Sequence, residues 1–150
     1  MEKVPELKTE VPELKTEVPG LKPAPDILVI DDDDVMRELV ADWLQSAGYR
    51  VRTAADCAAG VEQVKRQVPD AIVSDMFMPG PCGIAAIEAL KRCHPQVGLI
   101  ALSGHFNSGQ GLSAEAAEKA GAARAIAKPC KRSELLRAVA ELVGVPAATA

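Results

Sequence analysis

Residues that could take part in phosphoryl transfer follow several of the apolar segments of this sequence. Four consecutive aspartates, Asp31–Asp34, come directly after the apolar run Ile27–Ile30, while Asp75, Ser103 and Lys128 end or interrupt later apolar segments. Two carboxylates about 4 Å apart repel by roughly 4 kcal/mol at an effective dielectric constant near 20, so a close group of them needs a cation or a proton. A solvated turn, a metal site or a phosphoryl-transfer site could each account for the acidic run.

A magnesium ion would remove this electrostatic conflict. Mg²⁺ prefers oxygen ligands and commonly bridges carboxylates to a phosphoryl group. If Asp31, Asp32 and Asp75 are ionised, Mg²⁺ and Lys128 bring the formal charge of the group to zero. The Ser103 hydroxyl and Lys128 could then neutralise phosphoryl oxygens, while a central carboxylate acts as nucleophile and forms an acyl phosphate.

The elements that must position these side chains alternate between strand and helix from residue 26 onward. The predicted strands cover residues 27–30, 49–53, 70–75, 97–103 and 123–128. Four of the predicted helices cover residues 58–67, 83–93, 113–120 and 133–143. The first helix ends at Gly48 and is expected to bury one stripe, formed by Val35, Met36, Leu39, Val40, Trp43 and Leu44. The strands are continuous apolar runs, which is typical of parallel sheets covered on both faces. The sequence therefore predicts a three-layer α/β domain whose ligand site lies at the carboxyl ends of the strands.

Four stretches of the sequence, ILVIDDDD, IVSDMFMPGPCG, LIALSG and AIAKP, resemble the receiver domain of bacterial two-component response regulators over about residues 26–143. The resemblance implies a flavodoxin-like, doubly wound, five-stranded parallel sheet of order 2-1-3-4-5 with five helices. It implies that Asp75 is the phosphoacceptor, and that Ser103 and Lys128 bind the phosphoryl oxygens. The implied Mg²⁺ ligands are Asp32, Asp75 and the backbone carbonyl of Phe77, with Asp31 acting through water. It also implies a cis peptide bond before Pro129.

The resemblance further implies a role in signalling. The phosphoryl donor would be a phosphohistidine on a sensor histidine kinase or a histidine phosphotransfer protein. Only a few residues follow residue 143, so output is expected through a downstream protein target or a phosphorelay. The domain would catalyse only its own phosphorylation and dephosphorylation. A net charge of −4 gives no support for nucleic-acid binding. No membrane insertion or secretory signal is predicted, and the expected location is the cytoplasm.

Three positions depart from, or modify, the usual receiver pattern. Many receivers carry an aromatic residue three positions before the lysine, where this chain has Ala125, so switching through that side chain is not expected. The glycine-rich segment Gly104–Leu112 is either a partner-recognition loop or a tolerated insertion. Phe77 is bulky and apolar, which should hinder attacking water and prolong the life of the phosphoryl group.

Other residues have structural interpretations. Asp33 or Asp34 is expected to cap the first helix, and Asp56 the second. Cys57, Cys82, Cys93 and Cys130 have no CxxC spacing, and all four are expected to be reduced and packed as small hydrophobic residues.

Two alternatives use the same residues differently. In a haloacid-dehalogenase-like phosphatase, Asp31 would be the nucleophile and Asp33 the general acid. That mechanism needs further carboxylates after the lysine to hold Mg²⁺, but no aspartate follows Asp75. A non-phosphorylated interaction module of the same fold would be expected to lack the acceptor or the lysine, and this chain has both.

The N-terminal segment repeats with a period of seven residues: VPELKTE, VPELKTE and VPGLKPA. A proline in each repeat excludes a coiled coil, because each would break a helical hydrogen bond. Residues 1–25 are therefore expected to form a disordered tail that tends toward polyproline conformation, residues 26–145 the receiver domain, and residues 146–150 a disordered C-terminus. The tail is interpreted either as an inert extension or as a docking motif.

Overall fold

A five-stranded parallel sheet forms the centre of the protein. The computed structural model describes residues 23–76, 84–104 and 114–146. The strands are β1 Asp26–Ile30, β2 Arg50–Ala54, β3 Ala71–Asp75, β4 Gly98–Ser103 and β5 Arg124–Ala127, and the helices are α1 Asp34–Ser46, α2 Cys57–Arg66, α3 Ile84–Cys93, α4 Ala114–Ala120 and α5 Arg132–Val143. The strand order is β2-β1-β3-β4-β5, and all four pairings are parallel. This confirms the predicted fold class, with most element boundaries within one residue of those expected.

The helices cover both faces of the sheet and divide the core in two. On one face, α1 and α5 cover a cluster that includes Ile27, Val29, Leu44, Leu135 and Val139. On the other, α2, α3 and α4 cover a cluster that includes Leu28, Ile72, Ile87, Leu99 and Ala117. Alternate residues of one strand point to opposite faces. Every residue of β1 and β3 is buried, and this explains their continuous apolar sequences.

The buried stripe of α1 is narrower than predicted. Val40 and Leu44 are buried, but Val35 is 76% exposed and Leu39 is 41% exposed. Successive residues of a helix are rotated by about 100°, so Leu39 lies about 100° and Val35 about 140° from Val40 around the axis. The prediction that Val35 and Leu39 belong to the buried stripe is therefore wrong.

The predicted helix caps are present. The Asp33 carboxylate accepts hydrogen bonds from the backbone N–H groups of Val35 and Met36. The Asp56 carboxylate accepts one from Ala59 at the start of α2. Each satisfies N–H groups that have no partner within the helix.

The cysteines differ from expectation. Cys93 is free and exposed, Cys130 is free and buried, but Cys57 is disulfide-bonded. The prediction of four reduced and packed thiols is therefore wrong for Cys57, which is oxidised, and for Cys93, which is not packed. Spacing along the sequence does not report which residues meet in space. The sulfur that pairs with Cys57 lies outside the described residues.

Several predictions fall on residues beyond the described ranges. They concern residues 1–22 of the repeat-containing tail, Phe77, most of the segment Gly104–Leu112 and the last four residues of the chain. Within the described ranges, no helix is both long enough and apolar enough to span a membrane.

Candidate phosphoacceptor site

Strand register brings two aspartates side by side at the carboxyl edge of the sheet. Ile30 of β1 pairs with Ser74 of β3, so the residues that follow, Asp31 and Asp75, lie level on adjacent strands. The Asp31 N–H donates to the carbonyl of Ala54 at 3.1 Å and so continues the ladder with β2. Asp31 is 2% exposed and Asp75 6% exposed. The sheet therefore holds two carboxylates in a largely dry environment.

A third carboxylate completes an acidic cluster. Carboxylate oxygens of Asp31, Asp32 and Asp75 lie within 4.8 Å of one another. Asp32, in the turn after β1, is exposed. The Asp33 N–H donates to Asp31 Oδ1 at 2.9 Å and orients that carboxylate. Three hard oxygen ligands at this spacing suit Mg²⁺, which would leave water in its remaining positions.

Lys128 supplies the compensating positive charge. Its Nζ lies 3.1 Å from Asp31 Oδ2 and 3.4 Å from Asp75 Oδ2. Burial disfavours the ammonium form, but the attraction of the Asp75 and Asp31 carboxylates outweighs that effect, and the pKa of Lys128 is raised above its usual value. Lys128 therefore remains protonated at neutral pH and bridges the two buried aspartates.

Ser103 lies at the same edge. It is the last residue of β4, is 2% exposed, and pairs with Ala127 in β5. Its carbonyl accepts a hydrogen bond of 2.9 Å from the Lys128 N–H. The Lys128–Pro129 peptide bond is cis, as the resemblance implied. The ends of β4 and β5 thus hold the serine and the lysine next to each other.

The structure brings together the sequence-predicted residues that it describes. Asp31, Asp32, Asp75 and Lys128 form one cluster, and Ser103 is on the adjoining strand end. Phe77, whose carbonyl was expected to bind the metal, lies outside the described residues.

Arg37 braces the turn that carries the acidic run, a role that the sequence did not reveal. Arg37 Nη1 donates to the backbone carbonyl of Asp31 at 2.7 Å, and Nη2 donates to Asp34 at 2.5 Å. The sequence did contain a signal for the ion pair, because Arg37 comes three residues after Asp34 and residues at this spacing face each other on a helix. The hydrogen bond from Arg37 to the Asp31 carbonyl could not be predicted in this way, because Asp31 lies outside the helix.

A buried acidic residue at the opposite edge of the sheet was also not predicted. The two Asp26 carboxylate oxygens accept from Arg52 Nη2 at 2.7 Å and Nε at 3.2 Å. Arg52 also donates to the Gln63 carbonyl at 3.1 Å. Asp26 is therefore part of a satisfied ion pair that joins β1, β2 and α2.

Comparison with known proteins agrees with the geometry. The family model of the response regulator receiver domain matches residues 27–140. The chain is 35% identical over 115 residues to the nitrogen assimilation regulatory protein NtrX of Azorhizobium caulinodans, covering 75% of this chain and 25% of that protein. It is 33% identical over 114 residues to the chemotaxis protein CheY of Thermotoga maritima, covering 75% of this chain and 92% of that protein.

Solved structures show the same relationship. The receiver domain of NtrX from Brucella abortus superposes with a TM-score of 0.72 at 31% identity, covering 79% of this chain and 98% of that chain. A response regulator receiver domain protein from Clostridium thermocellum gives a TM-score of 0.72 at 27% identity, covering 79% of this chain and 94% of the other. The chain spans only about a quarter to a third of the length of several curated relatives, which carry further segments. These comparisons do not support the alternative of a phosphatase with Asp31 as nucleophile. The chain belongs to the response regulator receiver domain family.

Proposed function

We propose that this receiver domain accepts a phosphoryl group from a phosphohistidine onto Asp75, with Mg²⁺ held by the acidic cluster. The observation that carries the proposal is the position of Lys128, whose Nζ lies 3.1 Å from Asp31 and 3.4 Å from Asp75 at the rim of a three-carboxylate cluster. An ion pair that only stabilises the fold needs a single carboxylate to neutralise the ammonium group of a lysine. This site has two further acidic groups, and their charge suits a divalent cation.

The metal would be held by the oxygens of Asp31, Asp32 and Asp75, and the donor set fits a hard cation. When bound, Mg²⁺ would offset the negative charge of the phosphoryl oxygens. Asp31 suits a ligand role better than that of nucleophile, because one of its oxygens accepts from Asp33 N–H and the other from Lys128. The exposed Asp32 could receive an ion directly from solvent.

In the proposed transfer, an Asp75 carboxylate oxygen attacks phosphorus on the side opposite the histidine nitrogen. The new O–P bond forms as the P–N bond breaks, and the imidazole nitrogen leaves with the electron pair. Lys128, paired with Asp75 beforehand, would follow the negative charge onto a phosphoryl oxygen. The buried Ser103 hydroxyl would donate to another of those oxygens.

Two kinds of partner follow from this chemistry. The donor would be a sensor histidine kinase or a histidine phosphotransfer protein, and the output would pass to a downstream protein target or along a phosphorelay, in the cytoplasm. Ala125 is partly buried against the core on the α2–α4 face of the sheet. With a methyl group in place of a large aromatic ring, that position has little side chain to move between two states.

The test is phosphorylation of the whole chain by a small acyl-phosphate donor with Mg²⁺, measured by intact mass. We expect a phosphate-sized gain in the wild type and in Asp31→Asn, at a slower rate in the latter, and no gain in Asp75→Asn. Omitting Mg²⁺ should abolish the gain in the wild type and in Asp31→Asn. An unchanged gain in Asp75→Asn would overturn the assignment of the acceptor.

A further inference from the structure

An apolar groove runs along the sheet between α2 and α3. It encloses a cavity of about 510 Å³. Ile72 and Leu99 contribute to its floor, Val61 and Val64 to the α2 wall, and Ala86 and Cys93 to the α3 wall. Val61 is 52% exposed, and Val64 is only partly buried against the core. Apolar surface of this extent calls for an occupant, because isolated exposed apolar residues are common but contiguous apolar grooves are not.

The groove exists because two neighbouring helices do not close over the sheet. Among the described residues, α3 makes its main helix contacts with α4, and α2 contacts β1 and β2. On the opposite face, α1 and α5 contact each other directly. Several lining residues of the two helices are small, namely Gly60 on α2 and Ala86 and Ala89 on α3. Small side chains at these positions leave room for a segment of chain from elsewhere.

The N-terminal repeats have the composition to fill this room. Each of the three repeats supplies a valine, a proline and a leucine: Val4, Pro5 and Leu7, then Val11, Pro12 and Leu14, then Val18, Pro19 and Leu21. Polyproline II has three residues per turn, so the valine and the leucine, three positions apart, fall on one edge of the segment about 9 Å apart. In that conformation each repeat would place its valine and leucine on one edge and its proline and lysine on another.

The N-terminal tail is also long enough to reach the groove. It enters β1 at Asp26, at the amino edge of the sheet, where Ile72 and Leu99 are also found near the starts of β3 and β4. β1 and β4 are two strand spacings apart, or about 10 Å. Three to four extended residues span that distance, so Val18 and Leu21 can reach the near end of the groove. The other end of the groove lies near the carboxyl edge, at Ile30 and Met76.

We propose that the N-terminal repeats, within residues 4–21, dock one at a time in the groove between α2 and α3 of the same chain. The affinity need not be high, because a short tether holds the segment at an effective concentration in the millimolar range. Three similar repeats multiply the ways of docking and so favour the occupied state. Proline also lowers the conformational entropy that an extended segment loses on binding.

Cys93 offers a direct test, because this free and exposed thiol lines the groove. The whole chain is treated with a maleimide, and modification of Cys93 is followed by peptide mass. The test variant changes Val4, Leu7, Val11, Leu14, Val18 and Leu21 to serine. The matched control changes six polar tail residues, Glu6, Lys8, Thr9, Glu13, Lys15 and Thr16, to serine and leaves the net charge unchanged. If the groove is occupied about three quarters of the time, Cys93 should react about fourfold faster in the test variant than in the wild type or the control.

The remaining outcomes overturn the proposal. Equal labelling rates in all three proteins mean that the tail does not cover the groove. Protection that increases with protein concentration means that a second copy, and not the tail of the same chain, is the occupant. Equal acceleration in both variants assigns the effect to tail composition and not to apolar docking. Three-quarters occupancy of the groove stabilises the folded domain by RT ln 4, or about 0.8 kcal/mol, so the test variant should be less stable by that amount while the wild type and the control agree. A larger loss of stability in the test variant would assign the faster labelling to loosening of α3 and overturn the proposal. Phosphorylation of Asp75 is measured in a separate experiment, so the docking of the tail and the phosphoacceptor role of Asp75 can each be refuted independently.

Discussion

Replacing Asp75 by asparagine should leave the metal-free protein as stable as the wild type or more stable, although the residue is buried and ion-paired. Removal of a buried polar partner usually destabilises a protein. The opposite sign is expected here because Asp75 has two carboxylates as neighbours and shares its lysine with one of them. Asparagine keeps the shape of the side chain while it removes the charge.

The magnitude follows from the distances. At an effective dielectric constant near 20, the 3.4 Å between Lys128 and Asp75 corresponds to about 5 kcal/mol of attraction. At the same dielectric constant, the separation of at most 4.8 Å between the Asp75 and Asp31 oxygens corresponds to at least about 3.5 kcal/mol of repulsion. The exposed Asp32 adds a smaller, screened repulsion, and burial of Asp75 adds a desolvation cost. These effects nearly cancel, so we expect Asp75→Asn to change the free energy of unfolding by less than about 1 kcal/mol, or to raise it.

Lys128→Met should have the opposite effect on stability, because it removes the cation and keeps the carboxylates. It removes both attractions, at 3.1 Å and 3.4 Å, and leaves the carboxylates without their cation. Breaking a buried ion pair from one side typically costs about 3–5 kcal/mol. The two variants alter the same ion pair, yet they should have very different effects on stability.

The assay is urea unfolding of the wild type and both variants, in EDTA and in MgCl₂. In the wild type, Mg²⁺ at ten times its Kd should add about 1.4 kcal/mol. This increment should shrink in Asp75→Asn, which loses a ligand, and grow in Lys128→Met, which loses a competing cation. If Asp75→Asn in EDTA is destabilised as strongly as Lys128→Met, the acidic cluster is a structural ion-pair network, and attraction and repulsion do not cancel at Asp75.

Two further predictions concern stability away from the site. The Tyr49 hydroxyl donates to the Gly144 carbonyl at 2.7 Å, and burial raises the pKa of Tyr49 above its usual value. Its contribution to stability is therefore complete below about pH 10 and lost as pH rises beyond that. Tyr49→Phe should cost about 1 kcal/mol at pH 7 and flatten the alkaline loss; urea titrations at pH 7 to 11 that remain parallel for the two proteins would contradict this. Gly121 has φ of +130°, and an added Cβ would lie 2.5 Å from Lys91 Cγ, whereas Gly144 has φ of +86° with open space around it. Both alanine variants should lose about 1–2 kcal/mol from backbone strain, and Gly121→Ala should lose more in thermal unfolding; equal losses would show that the contact with Lys91 is relieved without cost.

Much of the fold could be predicted because its strands are buried on both faces. A continuous apolar run between polar helical patterns has few other solutions, and parallel order then places every strand end at one edge. The convergence of Asp31, Asp75 and Lys128 follows from that geometry. Sequence reasoning could therefore assemble the candidate site without measuring any distance.

The errors arise where neighbours distant in sequence decide the outcome. Periodicity placed Val35 and Leu39 on the buried stripe of α1, but the width of the stripe depends on where α5 and the sheet contact that helix. The state of Cys57 depends on which loop approaches the start of α2. The width of the groove between α2 and α3 depends on how closely the two helices approach. In each case the sequence pattern describes one element, whereas the outcome depends on two.

The two ends of β1 show why the acidic cluster indicates function. At the amino end, Asp26 is 5% exposed and receives two hydrogen bonds from one guanidinium, so one negative charge meets one positive charge with matched geometry. At the carboxyl end, the described residues place three carboxylates in one cluster with one ammonium group, which contacts Asp31 and Asp75. Within that group of described side chains the formal charge is −2. An ion pair that serves stability alone has no need of this excess, since the Asp26 carboxylate at the other end of β1 is matched by one guanidinium, that of Arg52 on β2. A divalent cation bound here would compensate the excess charge, and the cation and Lys128 would then share the negative charge that a phosphoryl group adds. The charge imbalance of the cluster is therefore the physical reason to expect ligand binding at this end of the strand and not at the other.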